Sequence, residues 1–495
     1  MDHGRRGTWG GSTLAVLLVA LGVAISGAAT DGVTVLTGTL GAVWGDPAPE
    51  EGNGSRLDWW LFADDGETVL LDLGDELART LGGPTRLNGR RARVWLDADQ
   101  REGARRVAAL TVLPGGGEAG RDLTGPQPWV SLLCKFSNVS AEPKNLAYFQ
   151  GMFANVPGRL DHYWRELSYN AINVVGSTAV NWVVLPEQQT HYVPTPGQGC
   201  LDGNPDNDAD LGALFADCTA AADPYVDFSN GGTGGFVGVN LMFNADLDGC
   251  AWGGGWGATL DGVSKVWSVT WEPPWGYENI SVMAHEQGHG FGLPHSNNWD
   301  DDGWPYDHSW DVMSDSWNYA GWDPTYGTLG KHTIAWHKDL LGWIPANQKL
   351  VVAGAGQYTI TVDDLALATT ANYRMAEIPV ASGFDSWTVD VRERSGLYDA
   401  ELPGDAVIIH QVDQGRDEPA WCYYAAVPPD DESDNEGSMW REGETFEDAA
   451  NQIQVTVDAA TANGFQVTIR SGNWASIFAD GFASGTTSAW SQTAP

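Results

Sequence analysis

The stretch that decides the fold reads His285-Glu286-Gln287-Gly288-His289-Gly290-Phe291-Gly292-Leu293-Pro294-His295. His285 and His289 stand at positions i and i+4, so a helix would place both imidazoles on one face, where they can hold a zinc ion. Gly292 can adopt a positive φ and end that helix, and Pro294 prevents the helix from resuming. The chain can then turn back and offer His295 as a third nitrogen ligand.

This spacing predicts a catalytic rather than a structural zinc site. Three protein ligands leave the fourth tetrahedral position to water. Zinc lowers the pKa of that water to about 7, and Glu286 beside it can accept the proton and pass it on. The alternative is a helix with ordinary buried histidines. A chain with only 10 histidines rarely produces the full pattern by chance.

Three regions surround and contain this stretch. Residues 126–345 mix helical and strand patterns and predict an α+β domain. Residues 30–125 alternate short strands with turn residues, which predicts a small β-barrel or β-sandwich that ends in a linker at 114–117. Alternating strands over 346–471 predict a β-sandwich, and 472–495 form a small, polar tail.

Within the middle region, apolar periodicity predicts individual elements. Helices are expected at Leu211–Ala222, at Asn279–Phe291 around the histidine motif, and at Lys331–Leu341. Strands are expected at Val130–Phe136 and Phe236–Asn244.

The N-terminus has the layout of a secretory signal peptide over residues 1–29. Arg5 and Arg6 precede an apolar run of twelve residues, Leu14–Ile25, and small residues follow the run. The run is too short to span a bilayer, and no later stretch reaches about 18 apolar residues. We therefore expect a protein secreted to the extracellular space or periplasm, without membrane insertion. The alternative is a buried N-terminal helix.

Charge excludes two classes of partner. The 495 residues carry 65 acidic and 26 basic side chains, a formal net charge of −39. Binding to nucleic acid or to an anionic membrane surface requires clusters of Lys and Arg, which this chain lacks.

Five cysteines indicate disulfide bonds in an oxidising compartment. Two of Cys200, Cys218 and Cys250 are expected to pair, although the sequence does not say which two. The odd number leaves at least one thiol without an intramolecular partner. No CxxC motif is present, so a thiolate zinc site is not expected.

The histidine motif and Met313, in the string Asp311-Val312-Met313-Ser314, resemble the metzincin family of zinc endopeptidases. Within that family the chain is most similar to gametolysin-type secreted peptidases, which are related to immune-inhibitor-A-type enzymes. Supporting stretches lie at 160–169 (LDHYWRELSY), 217–227 (DCTAAADPYVD), 306–314 (YDHSWDVMS) and 330–344 (GKHTIAWHKDLLGWI). The resemblance implies a metzincin-like α+β catalytic domain in which Met313 packs beneath the zinc histidines and ligates nothing.

The resemblance does not extend to the N-terminal region. Many peptidases of this kind are kept latent by a propeptide cysteine, whereas residues 30–125 contain no cysteine. If this region is a prosegment, it must inhibit in another way. Otherwise it is retained in the mature protein.

A second metal site is predicted in the acidic stretch 202–210. Asp202, Asn204, Asp206 and Asp210 stand at positions 1, 3, 5 and 9 of a calcium-loop numbering. Position 6 is Asn207 rather than Gly and position 12 lacks Glu, so the stretch is not an EF-hand. The alternative is a solvated acidic turn in which Asp210 caps the following helix. His308, close to the methionine, is expected to have a structural role.

The sequence therefore predicts a secreted zinc metalloendopeptidase that acts on proteins or glycoproteins through a zinc-bound water activated by Glu286. A binding or adhesion protein on a metzincin scaffold is the main alternative, with glycan binding through some of the 25 tryptophans. A zinc hydrolase acting on something other than peptides is a third. The substrate, the cleavage preference and the oligomeric state stay open.

Overall fold

A computed structural model of the chain describes residues 33–48, 54–101, 103–114, 122–229, 235–299, 306–424 and 436–472. The predicted signal peptide and nearly all of the predicted tail lie outside the described residues. Among the described helices, none is long and apolar enough to cross a membrane.

The N-terminal region forms a five-stranded barrel with two short helices. Strand order is β2-β3-β5-β4-β1, and pairing of β1 with β2 closes the barrel. Its interior is filled by apolar side chains that include Leu40, Leu61 and Val94. The elements are β1 (Thr34–Pro47), β2 (Arg56–Ala63), β3 (Thr68–Asp72), α1 (Asp75–Leu81), α2 (Gly83–Leu87), β4 (Arg91–Arg101) and β5 (Ala104–Val112).

The middle region follows as a mixed sheet with helices on both faces. Its first elements are β6 (Gly125–Pro126), β7 (Trp129–Lys135), α3 (Leu146–Met152), α4 (Leu160–Leu167), β8 (Ile172–Asn173), β9 (Thr178–Val184), α5 (Gln189–Tyr192), α6 (Leu211–Ala222) and β10 (Gly238–Phe243). The remaining elements are β11 (Cys250–Leu260), β12 (Val263–Glu272), α7 (Pro274–Tyr277), α8 (Ile280–Gly290), β13 (Ser296–Asn298), β14 (Trp322–Asp323), β15 (Gly327–Thr328) and α9 (Ala335–Leu340).

The main sheet of the middle region has the order β11-β12-β10-β7-β9. Strand β7 is buried on both faces, which is why its sequence is continuously apolar rather than alternating. Leu132 faces the core that contains α6, and its neighbour Leu133 faces the core that contains α4 and α8. The histidine helix α8 is therefore packed between the sheet and the helical layer.

The long strand β1 belongs to both the barrel and this sheet. Its last residues pair antiparallel with β11, from Val43 opposite Gly254 to Pro47 opposite Cys250. The two regions thus share one ten-stranded sheet. This continuity brings the end of β1 to the edge of the histidine helix.

The C-terminal region consists of two sheets that enclose a common core. The first has the order β13-β21-β20-β19-β18-β16 and the second β17-β24-β23-β22. Val389 and Val407 of the first sheet pack with Val455 and Val467 of the second. The strands are β16 (Lys349–Val351), β17 (Gly356–Asp363), β18 (Met375–Pro379), β19 (Ser386–Arg392), β20 (Ala406–Val412), β21 (Ala420–Cys422), β22 (Thr445–Asp448), β23 (Ile453–Ala460) and β24 (Gly464–Ser471).

Two disulfides brace the middle region, Cys200–Cys250 and Cys134–Cys218, while Cys422 is a buried free thiol. The expected pairing of two among Cys200, Cys218 and Cys250 is confirmed. The participation of Cys134 was not expected.

Candidate metal centre

Helix α8 holds two of the predicted zinc ligands on its inner face. His285 and His289 are one helical turn apart and almost fully buried. The last helical residue is Gly290, and Gly292 just beyond it has the predicted positive φ, +95°. The Leu293 amide then donates to the Gly288 carbonyl, which turns the chain back and carries His295 to the other two histidines.

The three imidazoles meet at one point. Each pair of Nε2 atoms among His285, His289 and His295 is separated by 3.1 Å. Zinc–nitrogen bonds of about 2.0–2.1 Å in a tetrahedron place the nitrogens about 3.3 Å apart, so the observed triangle has the size that zinc requires. These three residues fit a zinc ion without rearrangement.

Hydrogen bonds orient two of the rings for metal binding. His285 Nδ1 lies 2.7 Å from the Val312 carbonyl oxygen, and His289 Nδ1 lies 2.8 Å from that of Leu293. A carbonyl can only accept, so each Nδ1 carries the proton and each Nε2 keeps a free lone pair. Burial lowers the pKa of His289 to about 3, which keeps this ligand neutral.

Met313 lies beneath the histidines, where the metzincin resemblance expects it. Its Sδ is so close to the helix that a Cβ added to Gly288 would approach it to 2.4 Å. Asp311 holds the turn, because its carboxylate accepts from the Met313 amide at 3.0 Å and from the Ser296 hydroxyl at 2.8 Å. Met313 is fully buried and packs against the histidine helix at Gly288.

Glu286 follows the first ligand and is fully buried. Neither of its carboxylate oxygens has a hydrogen-bond partner. Burial raises the pKa of this carboxyl well above its ordinary value. Gly253 of β11 lies against it, and a Cβ there would come within 2.7 Å of Glu286 Oε2. An unpaired buried carboxyl is costly unless a function needs it, and proton transfer is such a function.

A fourth residue of metal-ligand type, which is acidic, lies beside the three histidines. Asp46, near the end of β1, places Oδ1 at 2.8 Å from His295 Nε2 and Oδ2 at 3.4 Å from the Nε2 atoms of His285 and His289. The Tyr306 hydroxyl donates to Asp46 Oδ1 at 2.5 Å. Asp46 is not predicted from the sequence, because nothing in the local string Trp44-Gly45-Asp46-Pro47 points to a metal.

A small cavity of about 140 Å³ opens beside Glu286. Trp275, Val282 and Trp317 of the middle region give it an apolar wall, and Pro47 and Ala48 of the N-terminal region close it. Its position next to the base makes it a candidate subsite for one substrate side chain.

His308, His410 and Cys422 form a second buried cluster of metal-ligand types in the described chain. The Trp310 amide donates to His308 Nδ1 at 3.3 Å, so the proton of this ring is on Nε2. That Nε2–H points at His410 Nε2, 2.9 Å away. The cluster is therefore explained by a hydrogen bond between neutral rings, in agreement with the structural role expected of His308.

The acidic stretch 202–210 makes turn contacts instead of a cluster of ligands. Asp202 accepts from the Asn204 amide at 2.7 Å and from the Asn207 side chain at 2.6 Å. Asp206 lies on the same exposed turn. Asp210 caps α6 by accepting from the Ala213 amide at 2.8 Å. The predicted capping by Asp210 is confirmed. Within the described residues these carboxylates do not converge on one point, and calcium binding stays a prediction.

Comparison with known proteins adds nothing to this geometry, since no family model, no curated protein and no solved structure matches the chain.

Proposed function

We propose that the chain is a secreted zinc-dependent endopeptidase of the metzincin type. One observation carries the proposal: three buried Nε2 atoms converge at 3.1 Å from one another beside the unpaired carboxyl of Glu286. Structural zinc sites are closed by four protein ligands, whereas the helix and turn of the middle region supply three.

His285, His289 and His295 would hold the metal. Bound zinc would polarise the scissile carbonyl and acidify a water molecule, which is the chemistry that peptide hydrolysis needs. Glu286 would take the proton from the attacking water and deliver it to the leaving amine. Its fully buried position, against Gly253, keeps that proton from bulk water.

Tyr306 is a further candidate for the reaction. Burial raises the pKa of its phenol well above the ordinary value, so the hydroxyl stays protonated as a donor. It already donates to an oxyanion at the centre of the site, the Asp46 carboxylate. A substrate carbonyl oxygen at the same place would receive the same hydrogen bond as negative charge develops.

The surroundings of the site favour a peptide over another zinc-hydrolase substrate. An extended chain segment, the end of β1, lies across the histidines and forms an antiparallel ladder with β11. A peptide substrate can bind in the same way by adding a strand, with backbone hydrogen bonds that suit any sequence.

Secretion is part of the proposal. It is supported by the leader-like sequence over residues 1–29 and by the disulfides Cys134–Cys218 and Cys200–Cys250, which persist in oxidising compartments. Release of the protein into the culture medium, with an N-terminus near residue 30, would test it.

Zinc content and casein hydrolysis by the same preparation test the catalytic proposal. They should be measured in the full chain and after a cut in the 114–117 linker, with and without a chelator. Glu286→Gln should keep one zinc per chain and lose hydrolysis. Glu278→Gln is the matched control, since Glu278 is half-exposed in an ion pair with Lys144. Zinc binding without hydrolysis in any form would favour the binding or adhesion protein instead.

A further inference from the structure

We propose that the N-terminal barrel keeps the metal centre latent, with Asp46 as the fourth ligand of the metal that the three histidines hold. The inference rests on the proposed peptidase function and adds its regulation. It also assigns residues 30–125 as an inhibitory prosegment that works without a cysteine.

Asp46 has the surroundings of a metal ligand. The residue is only 6% exposed, and its Oδ2 has no hydrogen-bond partner although it faces the Nε2 atoms of His285 and His289. A buried carboxylate oxygen without a donor is costly unless a cation neutralises it. The space that all three histidines face is where such a cation would lie.

The backbone of β1 blocks the same site sterically. Trp44, Gly45 and Asp46 lie opposite Gly253, Trp252 and Ala251 of β11. Because Gly253 also touches Glu286, this part of β1 covers the base as well as the histidines. A substrate strand cannot pair with β11 while β1 is there.

Neighbouring side chains fix the position of Asp46. Trp44 stacks on the His289 ring with centroids 4.5 Å apart, and Tyr306 donates to Asp46 Oδ1. Pro47 and Ala48 then close the cavity beside Glu286. One strand thus supplies the fourth ligand, covers the strand-binding edge and fills the adjacent subsite.

The barrel also contacts the rest of the protein away from the end of β1. It has a core of its own, but Trp60 and Phe62 pack against the core of the middle region, and Arg56 forms an ion pair with Asp208 at 2.7 Å. A cleft of about 800 Å³ lies between the barrel and α6. Release of the barrel therefore requires these contacts and the β1–β11 ladder to separate after its connection to the middle region is cut.

Activation would take two steps, cleavage of the chain and departure of the barrel. An activating peptidase hydrolyses one peptide bond between Val112 and Gly125 and consumes one water molecule. Departure of β1 would then remove the Asp46 carboxylate from the metal that the three histidines would hold, and a second water molecule would take its place. No oxidant or reductant is involved.

The test compares the full chain with Asp46→Ala, Asp46→Cys and the control Asp64→Ala. Asp64 lies on the same barrel in a surface ion pair with Arg91. Each protein is loaded with Co²⁺ for absorption spectroscopy and with Zn²⁺ for hydrolysis of a short peptide. Asp46→Ala should change the cobalt spectrum, whereas Asp64→Ala should match the unaltered chain. Because the β1 backbone still covers the site in the intact chain, hydrolysis should rise at least tenfold only once the 114–117 linker is cut and the barrel removed. Asp46→Cys should produce a thiolate-to-cobalt charge-transfer band, because sulfur then binds the metal.

The outcomes separate this inference from the function on which it rests. A cobalt spectrum indifferent to Asp46→Ala, with no charge-transfer band in Asp46→Cys, would overturn the latch even if the protein is an active peptidase. The spectral changes without hydrolysis in any form, the linker-cut chain included, would support Asp46 as a ligand and reject the peptidase. An intact chain as active as the linker-cut chain freed of its barrel would overturn latency.

Discussion

The Asp311 carboxylate accepts hydrogen bonds from several residues next to the candidate metal centre, and Asp311→Ala gives the sharpest structural prediction. The carboxylate is fully buried. It accepts from the Met313 amide at 3.0 Å, the Ser296 hydroxyl at 2.8 Å and the Thr333 hydroxyl at 2.7 Å, and it lies 2.9 Å from His337 Nδ1. Burial alone would raise the pKa of Asp311, but His337 holds it well below the ordinary value, so the group is ionised at neutral pH.

Removing this carboxylate leaves four buried polar groups without their acceptor. Breaking a buried ion pair costs about 3–5 kcal/mol, and the loss of several charge-assisted hydrogen bonds has the same order of magnitude. We therefore expect Asp311→Ala to lower the free energy of unfolding by about 3–5 kcal/mol. Val312, the next residue, supplies the carbonyl that orients His285, so zinc affinity should fall about 10–100-fold.

Urea unfolding followed by tryptophan fluorescence in a chelator measures the first effect, and competitive zinc titration measures the second. Asp64→Ala is the control. The Asp64 side chain is 53% exposed, and loss of such a surface ion pair should change the free energy of unfolding little. If the free energy of unfolding of Asp311→Ala lies within about 1 kcal/mol of that of the control, and the variant binds zinc equally well, the role assigned to Asp311 is wrong.

Three further substitutions test the site and the structure around it. Tyr306→Phe should lower kcat about 10²–10³-fold with little change in KM, as expected for loss of an oxyanion donor; an unchanged kcat would remove Tyr306 from the mechanism. Gly253→Ala should abolish hydrolysis while zinc stays bound, because the added Cβ would lie 2.5 Å from the Glu286 carbonyl oxygen, and full activity would contradict that contact. Replacing Cys200 and Cys250 by serine should lower stability by about 4 kcal/mol from their separation of 50 residues, measured as a lower urea midpoint, and an unchanged midpoint would refute the estimate.

Local sequence patterns predicted the centre of the site well. The helix expected at Leu211–Ala222 has those bounds in the structure, and the one expected at Asn279–Phe291 spans Ile280–Gly290. Both depend on short-range signals, namely apolar periodicity, a capping Asp210 and a terminating Gly292. The convergence of the three imidazoles was predictable for the same reason, because it follows from the short spacing of the histidines.

Signals that depend on tertiary contacts were not predictable. The helix expected at Lys331–Leu341 starts only at Ala335, because Thr333 is held in an extended segment by its hydrogen bond to Asp311. Asp46 reaches the site through strand pairing with β11, about 200 residues further along the chain, and local composition cannot encode that register. Long-range contacts of this kind bring Cys134 to Cys218 and Asp46 to the three histidines.

The central claim is that Glu286 acts on a zinc ion held by His285, His289 and His295. The most direct measurement is zinc stoichiometry together with peptide hydrolysis, made on the chain cut in the 114–117 linker and freed of its barrel, with and without Glu286→Gln. We predict one zinc per chain in both proteins and hydrolysis only where Glu286 is present. Absence of zinc from the cut chain, or equal hydrolysis by the two proteins, would contradict the claim.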